Sequence, residues 1–210
     1  MIAPSLGGLA HAAAAWHFRA VTEPAGPPAP APDLAAGPAT ELSAGLPADL
    51  VERLRPIRLL CLDVDGVLTD GNLYWSDGGG WSQRFSVRDG FGVKLLQESG
   101  IEVAILSGGD IKSARARAES LGIRHAWFGL ADKLAAWEAL SARLGIGAGE
   151  MAYVGDELVD LPMIRLANLG CAVPDAVDEV RAAAHYVTRR PGGSGAVREV
   201  CDLIRVHARR

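Results

Sequence analysis

Lysine is nearly missing from this chain: Lys94, Lys112 and Lys133 stand against eighteen arginines in 210 residues. Basic residues form no block longer than a pair such as Arg209-Arg210, and the formal net charge is −4. That balance argues against nucleic acid or an anionic membrane as a partner. Cysteine is equally scarce. Cys61, Cys171 and Cys201 lie far apart with no C-x-x-C pair, which points to reduced thiols in a cytoplasmic protein rather than disulfides or a thiolate metal site. No apolar stretch approaches the ~18–20 residues that span a bilayer. No Walker A run is present, so ATP use is not indicated. The glycines of "GIGAGE" (145–150) read as a helix–strand loop, and His125 and His185, beside apolar runs, read as structural.

What the chain does have is 49% hydrophobic residues, enough for one well-buried domain with an appendage. The appendage is residues 1–50, which carry eight of the twelve prolines among alanines and glycines. Such a composition cannot bury enough surface to offset chain entropy, so a disordered leader is expected there. Its segment "LGGLAHAAAAW" lacks the basic start of a secretory signal. The folded domain is expected over 51–210.

From Ile57 onward, strand and helix patterns alternate, which predicts an α/β fold with a doubly wound parallel sheet. The first strand spans about Ile57–Asp63. Two strand-like runs in "NLYWSDGGGWSQRFSV" (72–87) flank an Asp77-Gly78-Gly79-Gly80 turn and predict a β-hairpin inserted after it. Asp89 is expected to cap a helix ending at Gly100, and Asp110 one ending at Gly122. "IEVAIL" (101–106) reads as a strand buried on both faces. Further strands are expected near 123–128, 151–156, 170–173 and 185–188. Leu134, Trp137, Leu140, Ser141 and Leu144 fall at helical spacing between them.

Ligands of open parallel sheets sit outside the carboxyl ends of the strands. The first strand delivers Asp63 and Asp65 there, and the next Ser107-Gly108-Gly109. A later one delivers Gly155-Asp156-Glu157, with Asp160 one turn on, and Lys133 opens the helix after the short third strand. In a chain with three lysines, one placed at such a junction is no casual surface charge. So many acids in a partly dry cleft would drive some to protonate. A hard divalent cation relieves that repulsion, and an all-oxygen ligand set favours magnesium over zinc. Magnesium in turn implies a phosphate-bearing substrate.

"DVDGVLTDG", "ILSGG", "DK" and "GDELVD", in this order, resemble the four motifs of the haloacid dehalogenase superfamily of phosphatases. Within it, the chain is most similar to sugar-acid phosphatases acting on 3-deoxy-octulosonate phosphates. The similarity runs from about Arg58 to Ile204 and includes "FSVRDGFGVKLL", "RARAESLGI", "DLPMI" and "GGSGAVREV". The resemblance implies that Asp63 attacks phosphorus, while Asp65 serves as general acid and then base. It also implies magnesium on Asp63, the Asp65 carbonyl and Asp156, supported by Asp160. Ser107 and the amides of Gly108 and Gly109 would bind phosphoryl oxygens, Lys133 would neutralise charge, and Gly66 would let the backbone approach the phosphate. Arg88 and Arg117 are candidates for a substrate carboxylate, and Gly129 for the sugar-binding region. The family further implies a homotetramer whose hairpins meet centrally, with sites closed by neighbouring subunits and no separate cap domain. Leu73, Tyr74, Trp75, Trp81, Phe85 and Val87 give the hairpin apolar content suited to such an interface.

Three positions depart from the octulosonate pattern. Gly109 stands for the usual arginine, Phe128 for a glutamine, and Glu157 for the second acid of an Asp-Asp pair. Phosphatase chemistry is therefore better marked than the sugar, and a nonulosonate phosphate is the alternative substrate. A phosphoacceptor signalling domain would also place acids and a lysine around magnesium, but has no need of Asp65. A non-catalytic assembly domain would have no need of the intact set.

Overall fold

The computed structural model describes residues 45–209. The expected leader therefore lies almost wholly outside the described residues. Its last three positions instead open helix α1 (Ala48–Leu54), whose Leu50 and Leu54 are buried. The folded part thus reaches back across the boundary expected at residue 51.

Strand β1 (Leu59–Leu62) has no exposed residue, as its unbroken apolar run demands. It lies at the centre of a six-stranded parallel sheet with β4 (Glu102–Leu106), β5 (His125–Trp127), β6 (Met151–Gly155), β7 (Leu169–Ala172) and β8 (Tyr186–Val187). The order is β5-β4-β1-β6-β7-β8. Cys61 stands opposite Ala104 on one side and Tyr153 on the other. The chain steps from β1 outward to β4 and β5, then crosses back to β6 on the opposite flank. β1 is therefore the topological switch point, and a crevice opens at its carboxyl end.

The helices covering the sheet are α2 (Val87–Glu98), α3 (Lys112–Ser120), α4 (Lys133–Leu144), α5 (Leu161–Leu166), α6 (Asp178–Ala183) and α7 (Ala196–His207). In α4, Trp137 and Leu140 form the buried core of the predicted stripe, with Leu134, Ser141 and Leu144 at its margins. The polar member, Ser141, donates its hydroxyl to the Ile146 carbonyl at 2.6 Å and so helps close the helix end.

Two expected caps are corrected. Ser86, not Asp89, caps α2, its hydroxyl accepting the Asp89 N–H at 3.3 Å. Asp89 is buried in the first turn, and its carboxylate accepts the N–H groups of Gly195 (3.1 Å) and Arg198 (2.7 Å). It therefore caps α7 across more than a hundred residues of sequence. Helices α2 and α7 come close enough at Gly92 that a Cβ there would lie 2.9 Å from the Arg198 Cα. Asp110 does not cap α3 either. Ile111 holds that position with no side-chain bond, while exposed Asp110 pairs with Arg115 at 2.5 Å.

The hairpin forms as expected, from β2 (Tyr74–Ser76) and β3 (Gly80–Ser82), with Trp75 opposite Trp81. Past β3 the chain returns through a single bridge between Phe85 and Thr69. All three cysteines are free and buried. No helix among the described residues is long and apolar enough to cross a membrane.

Candidate active site

β1 carries its ladder one residue beyond its end, the Asp63 N–H donating to the Val154 carbonyl at 3.1 Å. The chain then turns tightly: the Val64 carbonyl accepts from the amides of Val67, Leu68 and Thr69. Gly66 makes the turn possible with φ +79°, and no side chain fits there, since a Cβ would lie 2.0 Å from Asp156 Oδ2. The buried Thr69 hydroxyl locks the loop, accepting from the Gly66 and Gly71 amides and donating to the Val64 carbonyl. A second loop, Pro191–Gly195, braces it from outside. There the Gly193 N–H donates to the Val67 carbonyl at 3.0 Å, and a Cβ on Gly192 would lie 1.7 Å from the Gly66 carbonyl oxygen.

A cleft of about 300 Å³ opens over this loop, lined by Asp63, Asp65, Gly108, Gly109, Lys133 and Asp156, with Gly71, Glu157 and Val159 at its rim. Lys133 sits at the first position of α4 because Asp132 caps that helix, accepting the Ala135 N–H. Its ammonium lies 2.8 Å from an oxygen of Asp63 and 2.8 Å from one of Asp160, with all three side chains nearly devoid of solvent. Burial alone would pull the Lys133 ammonium down, but the two carboxylates outweigh it and hold it above the ordinary lysine range.

Asp160 is fully buried and every contact of its carboxylate is filled. One oxygen accepts from Lys133 and from the Tyr153 hydroxyl (2.7 Å), the other from the amides of Asp156 (3.1 Å) and Glu157 (3.2 Å). It orients the Asp156 loop and Lys133, which fits a supporting role better than direct ligation. Tyr153, a buried strand residue with a polar tip, is a partner that sequence reasoning missed.

The acids crowd each other. Burial, then the Asp160 charge, pushes Asp63 up to about 6 despite Lys133. Burial and the charges of Asp63 and Asp160 push Asp156 up to about 8. Asp156 Oδ1 is moreover buried with no hydrogen-bond partner. One oxygen each from Asp63, Asp156 and Asp160 lie within 4.8 Å of one another. An orphaned carboxylate oxygen in an all-oxygen cluster of like charges fits a hard divalent cation.

The loop at 107–109 is equally fixed. Ser107 is buried, its hydroxyl bonded to both the amide and the carbonyl of Gly109 at 3.1 Å. Gly129 does not line the cleft; its N–H donates to the Gly109 carbonyl at 3.1 Å and braces this loop from behind. Arg117 is placed elsewhere altogether, donating to the Ser86 carbonyl at 2.9 Å over the start of α2. Arg88 lines a different cleft with Arg190, Ser194 and Arg198, so neither arginine reaches this cleft within the chain. His125 and His185 are structural, each bonded through Nδ1, to Arg143 and to the Gly170 N–H. Sequence reasoning also missed Gln83 and Ser113. Gln83 donates its amide to Asp65 Oδ1 and accepts the Ser113 hydroxyl at 3.0 Å.

Comparison with known proteins gives the family. A haloacid dehalogenase-like hydrolase family model matches residues 129–199. The 3-deoxy-D-manno-octulosonate 8-phosphate phosphatase of Yersinia pestis is 47% identical over 156 residues, 74% of this chain and 83% of that one. Its Escherichia coli K12 counterpart is 46% identical over 157 residues, covering 75% and 84%. The solved structure of the Moraxella catarrhalis enzyme, in complex with magnesium ion, phosphate ion and KDO, superposes with a TM-score of 0.72 at 41% identity, covering 74% of this chain and 90% of that one. With more than four-fifths of curated relatives matched at such identity, the chain belongs to the 3-deoxy-D-manno-octulosonate 8-phosphate phosphatase family of haloacid dehalogenase-like hydrolases.

Proposed function

We propose that this protein is a magnesium-dependent phosphatase that hydrolyses 3-deoxy-D-manno-octulosonate 8-phosphate through a phosphoryl group carried on Asp63. The observation that carries the reading is the buried Asp63–Lys133–Asp160 triad beside the orphaned oxygen of Asp156, at the switch point of the sheet. Asp63, Asp156 and the Asp65 carbonyl would hold magnesium, which supplies positive charge to the carboxylates and the phosphoryl oxygens when bound. Asp63 attacks phosphorus as the bond to the sugar oxygen breaks, and Asp65 gives its proton to that departing oxygen. In the second half, Asp65 takes a proton from water as the water oxygen attacks phosphorus, and the Asp63 carboxylate is restored. Lys133 stays charged throughout, held so by Asp160, and faces the phosphoryl oxygens. Ser107 and the Gly108 and Gly109 amides lie on the side where those oxygens must sit.

The hairpin supports a tetrameric, cytoplasmic enzyme. Leu73, Tyr74, Trp75 and Trp81 are 44–60% exposed, and a two-stranded ribbon cannot bury them alone. A neighbouring copy would cover them and close the cleft. The free, buried cysteines suit a reducing compartment. Glycine at position 109, where the octulosonate pattern has arginine, keeps nonulosonate phosphates in the test. Phosphate release with and without magnesium, measured across sugar-acid phosphates, nucleotides and phosphopeptides, should favour the octulosonate ester. A preference for nucleotides or phosphopeptides would overturn the assignment.

A further inference from the structure

We propose that Gln83, clamped by Ser113, is a positioning residue that presents one oxygen of Asp65 to the leaving group; this deepens the hydrolase reading above and rests on it. Gln83 lies just past β3, and the bridge between Phe85 and Thr69 ties this return segment to the loop carrying Asp65. The Gln83 amide nitrogen donates to Asp65 Oδ1, and its carbonyl accepts from the Ser113 hydroxyl at the start of α3. An ionised carboxylate can only accept, so the amide nitrogen must face Asp65, and the amide oxygen is left to take the Ser113 hydroxyl. Three segments distant in sequence, at residues 65, 83 and 113, are thus linked by one chain of hydrogen bonds that ends on the Asp65 carboxyl group.

The arrangement leaves the two Asp65 oxygens with different tasks. Oδ1 is occupied by the amide. Oδ2 points toward Gly109, where a Cβ would come within 2.8 Å of it, so the proton travels on the oxygen that faces the cleft. A neutral amide donor suits a group that must change charge twice in a cycle. It bonds Oδ1 when the proton rides on Oδ2 and when the carboxylate is bare, so the side chain holds its orientation as acid and as base. In the first half-reaction the P–O bond to the sugar breaks, the Asp63–phosphorus bond forms, and the Oδ2 proton goes to the departing oxygen. In the second, the same oxygen takes a proton from the attacking water.

Leaving-group dependence tests this. A sugar-acid phosphate releases an alkoxide that needs the proton, whereas p-nitrophenyl phosphate releases a phenolate that leaves without one. The variants are Gln83→Met, which keeps the shape and removes the donor, and Ser113→Ala, which frees the amide. The measurement is kcat/KM, which reports formation of the phosphorylated enzyme, with thermal melting as the control for folding. Gln83→Met should lose roughly tenfold or more beyond its loss on the aryl ester when assayed on the octulosonate ester, and Ser113→Ala should deviate in the same direction by less. Equal losses on both esters, or none on either, would overturn the positioning role while leaving the hydrolase reading intact. A wild-type protein inert on both esters would overturn the hydrolase reading and this inference together.

Discussion

The cleft at the end of β1 and the hairpin that follows it are separated by a few residues and built on opposite terms. In the cleft, charged groups are buried and nearly every polar atom is bonded: Asp160 alone accepts from two side chains and two amides. In the hairpin, large apolar groups face solvent, and the two tryptophans stack edge to face, 5.1 Å apart, both more than half exposed among the described residues. The first region carries its structure within one chain, because unpaired buried charge is too costly to leave for a partner to complete. The second has left its burial unfinished. One chain thus supplies the cleft residues while its hairpin leaves apolar surface exposed.

The sharpest way to break the first region is Asp63→Asn. Turnover should fall on the order of 10⁴-fold or more, since an amide cannot take up the phosphoryl group. Lys133 keeps Asp160 as its partner, so the fold should survive. Phosphate release near the wild-type rate would refute the role of Asp63. Gly66→Ala ranks next. The new methyl would collide with the Asp156 carboxylate in a left-handed turn, costing roughly 1–3 kcal/mol. By displacing Asp156 it should also lower kcat/KM about 100-fold. An alanine variant with full activity would show that the close approach of loop and acid is dispensable.

Much of this cleft was legible before the fold. Asp63, Asp65, Ser107, Asp156 and Lys133 each follow a strand end or open a helix, and in a parallel sheet all such positions share one edge. What escaped was anything fixed by tertiary closure. Asp89 reads locally as a cap for its own helix, yet Ser86 holds that position and the Asp89 carboxylate accepts from the start of α7 instead. Arg117 and Arg88 have the right chemistry for a carboxylate, but periodicity does not say which end of the sheet a helical side chain overlooks. Gln83 and Ser113 belong to no motif. A neutral amide becomes functional only through the acid it touches, and that contact exists only once the hairpin has folded back.

The acids of the cleft also predict a pH response. Asp63 at about 6 and Asp156 at about 8 both titrate above the ordinary value of 3.8. A carboxyl whose folded-state value is raised favours folding while protonated, so its contribution is complete below about pH 4 and is lost as pH climbs through the folded values. The metal-free protein should therefore lose stability progressively between about pH 4 and 8. Magnesium should flatten that decline, and at pH 7 its binding should release about one proton, measurable by calorimetry in buffers of different ionisation heat. Asp156→Asn should abolish most of the slope. A melting profile that ignores both pH and magnesium would mean that these carboxylates are not forced together.

The hairpin should respond in the opposite sense, with a large change in assembly and almost none in the fold. Trp75 and Trp81 are 60% and 56% exposed and pack chiefly on each other, so replacing both by serine removes little from the core. The stability of the isolated domain should change by no more than about 0.5 kcal/mol. Sedimentation should nonetheless move from a tetramer to smaller species, and the melting temperature should become less dependent on protein concentration. Because the cleft residues Asp63, Lys133 and Asp156 come from one chain, the dissociated variant should still cleave a small aryl phosphate. Its preference for the sugar-acid ester should shrink, because the walls that distinguish the two esters would have left with the neighbours. A double variant that remains tetrameric, or a wild-type protein that sediments as a monomer, would show that something else covers these tryptophans and that the hairpin's unfinished burial serves another purpose.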